Sequence, residues 1–160
     1  MRGTKKKDLT RVIAPDPKYG DETLAKFINF IMEGGKKTTT QGIVYRAFDK
    51  IKADSKKEPL QVFEEALKNV SPQVEVRSRR VGGANYQVPI PVTAKRQRAL
   101  AFRWIVGAAL GKKGKAMHEK LADIILESSQ NLGDAIRKRD DVHRMAEANK
   151  AFAHFARFRK

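Results

Sequence analysis

Between Asp21 and Val70 the apolar residues recur at intervals of three and four. Leu24, Phe27, Ile28 and Ile31 make one such stripe, which is the signature of a helix with one buried face. Asp21 is suited to cap it, and Gly34-Gly35 supplies the stop. A second helix is predicted from about Thr39 or Thr40, with Val44, Ala47, Phe48 and Ile51 on its apolar side. A third opens at Pro59, a favoured first helical position, and presents Leu60, Phe63, Leu67 and Val70. Helices this short are unstable alone, so the three must pack together. Their aromatic residues Phe27, Phe30, Phe48 and Phe63 are expected in the core.

After Pro72 the period changes to two. Val74, Val76 and Ser78 alternate with Glu75, Arg77 and Arg79, and beyond Gly82-Gly83 comes Tyr86, Val88, Ile90 and Val92. This predicts a β-hairpin over about 73–92 with glycines in its turn. Pro89 and Pro91 share parity, so both missing N–H groups lie on one edge, which must face outward. A lone ribbon is marginal, so its base should rest on helices while its tip projects. Thr93 is a candidate cap for a fourth helix reaching about Leu110, broken by the stretch Gly111 to Gly114. A fifth is expected over about Lys115 to Ser128, with Met117, Leu121, Ile124 and Ile125 inward. Asp134 suits the cap of a sixth running past Met145. Residues 1–18, with Lys5, Lys6, Lys7, Pro15 and Pro17, read as a basic extended tail. Such a tail is either a solvated end or an arm that orders on RNA. Residues 151–160 read as a fraying C-terminal tail. The fold expected is mainly α: one domain over 19–150, a bundle of about six helices with a protruding two-stranded β-ribbon arm between helices three and four.

Charge adds what the pattern lacks. Lys plus Arg is 34 against 18 Asp plus Glu, giving +16 in 160 residues. Such an excess repels itself in a compact state, and a polyanionic partner is the usual reason for it. The charge is also uneven. Val76 to His118 holds ten Lys and Arg and no acid, whereas Phe48 to Asn69 holds five of each sign. That asymmetry predicts a binding face on a packed body. No apolar run is long enough to span a bilayer, and the charged stretch Met1 to Arg11 is followed by no apolar segment of the secretory kind. The absence of cysteine removes disulfides and thiolate metal sites.

Within the acid-free segment Arg77, Arg79 and Arg80 approach a glycine turn, and Tyr86 lies just across it, placed to stack on an unpaired base. Lys95, Arg96 and Arg98 stand in the first turns of the fourth helix, where they oppose the helix macrodipole. Cations there suggest an arriving phosphate. The bland alternative is a solvated basic face with a core tyrosine. Lys36 and Lys37 occupy the loop between the first two helices, a weaker signal, and Trp104 is expected in the core. Asp140, His143 and Glu147 share helical spacing and raise the possibility of a metal-dependent nuclease. Without a thiolate, a second histidine in register or a zinc spacing, they read as a surface ion-pair array. No metal, cofactor or catalytic residue is expected.

Several blocks together resemble the bacterial-type small-subunit ribosomal protein seven family. They are Asp16-Pro17-Lys18-Tyr19-Gly20; Phe27-Ile28, Gly35-Lys36-Lys37, Ile43-Val44 and Ala47; Val74-Glu75-Val76-Arg77-Ser78-Arg79-Arg80-Val81-Gly82-Gly83; Tyr86-Gln87-Val88-Pro89; Arg103-Trp104-Ile105-Val106; and the run from Asp141 to His154. The resemblance implies six helices with a protruding ribbon. It implies direct binding to the 3′ major domain of 16S-type small-subunit rRNA and nucleation of head assembly. The arm would lie near the exit-site tRNA and the mRNA path, beside neighbouring head and platform proteins. Some members also bind their own messenger. By matching motif, the RNA contacts fall on the tail (Lys5, Lys6, Lys7 and Arg11), on Lys36 and Lys37, on Arg77, Arg79 and Arg80, on Lys95, Arg96 and Arg98, and on Arg137, Lys138, Arg139 and Arg144 of the last helix. The setting implied is a cytoplasmic ribosome, with an organellar one left open. Two features depart from the family pattern: an N-terminal run with one arginine and three lysines, and the ending Phe155-Ala156-Arg157-Phe158-Arg159-Lys160. The rival reading from the residues alone is an architectural DNA-binding protein with a basic β-arm.

Overall fold

The computed structural model describes residues 12–157. Six α-helices and one 3-10 helix surround a single two-stranded sheet among them: α1 (Glu22–Ile31), α2 (Lys37–Ser55), α3 (Pro59–Val70), β1 (Val74–Val81), β2 (Ala84–Pro91), α4 (Ala94–Gly111), α5 (Met117–Ser129), α6 (Asp134–Ala148) and a C-terminal 3-10 helix (Lys150–Arg157). The expected order of helices and arm is thus observed. Lys5, Lys6, Lys7 and Arg11 lie outside the described residues.

Local chemistry explains most helix ends. The Asp21 side chain accepts the Leu24 N–H at 2.5 Å and caps α1. Pro59 opens α3, as its fixed φ favours. Two starts and one capping bond differ from expectation. The α2 helix starts at Lys37, two or three residues early, without a side-chain cap. Thr93 holds the N-cap position of α4 but makes no capping hydrogen bond. The N-cap of α6 is Gly133 and not Asp134. Its φ is +90°, and a Cβ there would come within 2.6 Å of Glu127 Oε2, so the backbone needs glycine.

The core is an aromatic node with aliphatic residues around it. Phe63 of α3 meets Phe27 of α1 at 5.0 Å and Phe48 of α2 at 5.7 Å between ring centroids. Phe27 also meets Phe102 of α4 at 5.1 Å. Ile105, Leu121, Ile124 and Ile125 close the node from α4 and α5. Trp104 packs against it half-buried. Phe30 is the exception to the expected core, for it is 43% exposed and only leans on Phe102. It lies one residue past the strip that Phe27 and Ile28 bury.

The chain joins the body at Asp16, which is buried. Its carboxylate accepts the N–H groups of Lys18 and Tyr19 and the Tyr45 hydroxyl. Burial, together with the Asp16 carboxylate, pushes the Tyr45 phenol up to about 12. The boundary read at residue 18 therefore falls inside a turn tied to α2. On the opposite side, Asp123 of α5 accepts from Lys50 of α2 and from Lys115. Burial alone would raise this carboxyl, and the two ammonium groups hold it below its usual range.

Replacing Phe63 by Ala should cost about 3–5 kcal/mol, because it opens a cavity between three helices. Phe30→Ala should cost well under half as much. Urea denaturation of both variants checks this, and equal losses would refute the assigned node.

Candidate nucleic-acid interface

The ribbon carries the site, so its register decides what each side chain can do. Gly82 and Gly83 take φ of +57° and +89°, the paired left-handed conformation of a two-residue hairpin turn. From there Arg80 faces Asn85, Arg79 faces Tyr86, Arg77 faces Val88, Val76 faces Pro89 and Glu75 faces Ile90. Opposite residues share a face. Glu75, Arg77 and Arg79 therefore stand with Ile90, Val88 and Tyr86, and Val88 is fully buried. At the base, Val92 donates its N–H to the Gln73 carbonyl. Hydrogen-bonded pairs alternate from there, which leaves Pro89 and Pro91 at positions where no ladder N–H is required. The expected outward edge is realised.

The base of the ribbon is held by a carboxylate that the charge pattern did not single out. Glu75 is 8% exposed. It accepts from Arg77 Nε at 2.6 Å and from Arg96 Nε, in the first turn of α4, at 3.0 Å. Burial would raise its pKa, but the hydrogen bonds from Arg96 and Arg77 outweigh this and hold it below the ordinary 4.5. Cations in the first turn of α4 had suggested an arriving anion, and for Arg96 that anion is within the chain. Lys95 and Arg98 stay exposed with no ion pair among the described residues. A signal was present in the sequence, since Glu75 is the acid immediately before the acid-free segment.

The other predicted residues divide in the same way. Arg80 at the tip and Lys36 and Lys37 before and at the start of α2 are exposed, with no ion pair among the described residues. Lys138 is likewise exposed. Arg137 and Arg144 are exposed but paired within α6, with Asp134 and Asp141. Arg139 is tied down: it donates to the Asn69 carbonyl at 2.6 Å and to Asp140, joining α6 to the end of α3. Arg79 donates to the Phe155 carbonyl at 3.3 Å. Tyr86 departs from its expected role. Its ring is half-buried and packs against Phe152 at 5.1 Å and Phe155 at 5.2 Å. The C-terminal segment that reads as a fraying tail is the cause, for its 3-10 helix packs on β2.

The long α4 joins two basic regions. Its start meets the ribbon through Glu75. Its far end, about 27 Å away by helix rise, faces a groove of about 660 Å³ shared with the α1–α2 loop and α5, with Lys36 and Lys120 among its lining. Arg103 of α4 and Lys113 just beyond it, neither named as an RNA contact from the sequence, are exposed. The trio Asp140, His143 and Glu147 does not converge. Asp140 is held by Arg139, Glu147 by Lys150, and His143 Nε2 accepts the Gln73 N–H at 3.2 Å. Among the described residues no cluster of three His, Asp or Glu fits a metal ion. No described helix is long and apolar enough to cross a membrane.

A family model described as ribosomal protein S7p/S5e matches residues 3–150, nearly the whole helical body and the ribbon. The chain belongs to the ribosomal protein S7p/S5e family. Among relatives, the small ribosomal subunit protein uS7 of Thermotoga neapolitana is 59% identical over 145 residues, covering 91% of this chain and 94% of that protein. Its counterparts in Syntrophotalea carbinolica and Maricaulis maris are 57% and 54% identical, each covering 91% of this chain and 93% of theirs. Membership in a family of structural, RNA-binding ribosomal proteins accounts for both the net charge and the acid-free segment.

Glu75→Ala should destabilise the fold by about 1–3 kcal/mol at neutral pH by leaving two guanidinium groups without their acceptor. The folded pKa lies below the unfolded one, so this contribution is complete above about pH 4.5 and fades as pH falls through the folded value. Urea denaturation of both proteins across that range tests it. A difference that does not change with pH would remove Glu75 from the account.

Proposed function

We propose that the protein is a structural constituent of the small ribosomal subunit that binds the 3′ major domain of its rRNA directly and nucleates assembly of the head. The observation that carries this reading is the set of exposed cations on the ribbon and near the two ends of α4: Arg80 on the ribbon, Lys95 and Arg98 at the start of α4, and Lys36 and Lys37 by the groove at its far end. These side chains suit phosphate contacts, which supply affinity and position, while the shape of a folded RNA junction supplies specificity. The ribbon, carried on the body by Glu75, is suited to reach toward the exit-site tRNA and the mRNA path. Lys5, Lys6, Lys7 and Arg11 of the sequence and the exposed Arg137, Lys138 and Arg144 of α6 would add further phosphate contacts. No catalytic step is part of this function.

Binding to a transcript of the 3′ major domain, competed with excess duplex DNA and unrelated RNA at moderate salt, tests the reading. Tight binding should survive both competitors. Affinity should fall roughly a thousand-fold or more between low and moderate salt if about six phosphates are contacted. A flat salt profile would rule out the electrostatic account, and displacement by duplex DNA would favour an architectural DNA-binding role. Arg80→Ala should weaken transcript binding several-fold while leaving the thermal midpoint unchanged, as circular dichroism would show. Arg79→Ala should do more, because it also frees the carbonyl of Phe155.

A further inference from the structure

The 3-10 helix Lys150–Arg157 begins where the match to the family ends. Eight residues of 3-10 helix are too many to persist on backbone geometry alone, so side chains must hold the segment. Its period of three puts Phe152 and Phe155 on one side, with ring planes 10° apart and centroids at 6.2 Å. Both close on Tyr86 of the ribbon. The Arg79 guanidinium, directly opposite Tyr86 in the register, donates to the Phe155 carbonyl. These three rings are half-buried. The fourth ring of the cluster is not. His154 is exposed, with its centroid 4.0 Å from that of Phe155 and Nδ1 2.8 Å from the Ala151 carbonyl.

An exposed imidazole fixed at one edge by a carbonyl and on one side by a phenyl ring has little rotamer freedom left to lose on binding. The Arg79 guanidinium lies at the rim of the same cluster. The geometry points to His154 as a stacking site for an unpaired nucleobase of single-stranded RNA, with Tyr86, Phe152 and Phe155 as its footing. Every base offers a π face, so such a site is tolerant of sequence, and the charge of Arg79 beside it favours the strand over a neutral partner. The stacking role that the sequence suggested for Tyr86 thus passes to the C-terminal segment, and Tyr86 becomes its anchor. This inference rests on the RNA-binding reading above.

The test uses the full chain and a short oligoadenylate carrying 2-aminopurine, whose fluorescence is quenched by stacking. His154→Ala should lower affinity for the oligonucleotide about fivefold or more and abolish the quench. His154→Phe, which keeps a ring but loses the bond to Ala151, should restore most of both. Binding of the folded 3′ major domain transcript should change less than the oligonucleotide binding in either variant. Unchanged affinity and quench in His154→Ala would overturn the stacking site, as would an equal loss in the Ala and Phe variants, which would mark a merely structural role. Failure of the unaltered protein to bind the oligonucleotide while it binds the transcript would also overturn it, leaving the ribosomal reading intact. Failure to bind the transcript would instead count against that reading.

Discussion

A two-stranded ribbon cannot hold itself in place. Each strand has one neighbour, half of its backbone groups face outward, and no second layer covers it unless the rest of the chain supplies one. Three supports meet that requirement here. Glu75 ties β1 to the start of α4, α6 packs on β1, and the C-terminal 3-10 helix packs on β2. The first is electrostatic, and it sits where repulsion is worst. Arg77 and Arg96 would oppose each other across the ribbon base if the carboxylate between them were absent. One half-exposed guanidinium from each element shares that nearly buried acid. The ribbon can therefore be strongly basic at its tip without being repelled from the helix below it.

That arrangement separates two kinds of cation that look alike in the sequence. Arg77, Arg96 and Arg139 spend their donors on protein acceptors and fix the relative placement of ribbon, α4, α3 and α6. Arg80, Lys95, Arg98, Lys36 and Lys37 are exposed and make no ion pair among the described residues. Around the ribbon and between α3 and α6 the bonded cations are arginines, whereas within the body Lys50 and Lys115 bond Asp123. A guanidinium offers several donors in a rigid plane, so it can bridge two elements, whereas an ammonium acts as a point charge. Lysine predominates in the α1–α2 loop, where charge is wanted and geometry is not.

The body was legible because its signals are local. Apolar residues at three and four spacings located the helices, Pro59 and Asp21 marked two starts, and Gly82-Gly83 marked the turn. Phe30 was misplaced because period alone does not fix the width of a buried strip, which depends on how closely α4 approaches α1. Glu75 was overlooked because its importance comes from Arg96, twenty-one residues away, and composition cannot show that pairing. Threonine is a common helix cap, which suggested a start near Thr39 or Thr40, but Thr40 is buried inside α2 with its hydroxyl donating to the Lys36 carbonyl.

The C-terminal segment is the instructive failure. Ala151 to Arg157 is less than two α-helical turns of mixed polarity, too short to establish a period, and reads as a fraying tail. Its aromatic residues are instead spaced by three, which in a 3-10 helix puts them on one side. That spacing has force only if a hydrophobic partner stands nearby, and Tyr86 is more than sixty positions earlier in the chain. Tyr86, in turn, looked like a free stacking residue because its partners were assigned to a tail. The two misreadings are one. An aromatic residue on an isolated ribbon is accessible, and the same residue on a ribbon backed by the end of the chain is structural. The accessible ring then belongs to whichever residue lies outermost in the cluster, and here that residue is His154.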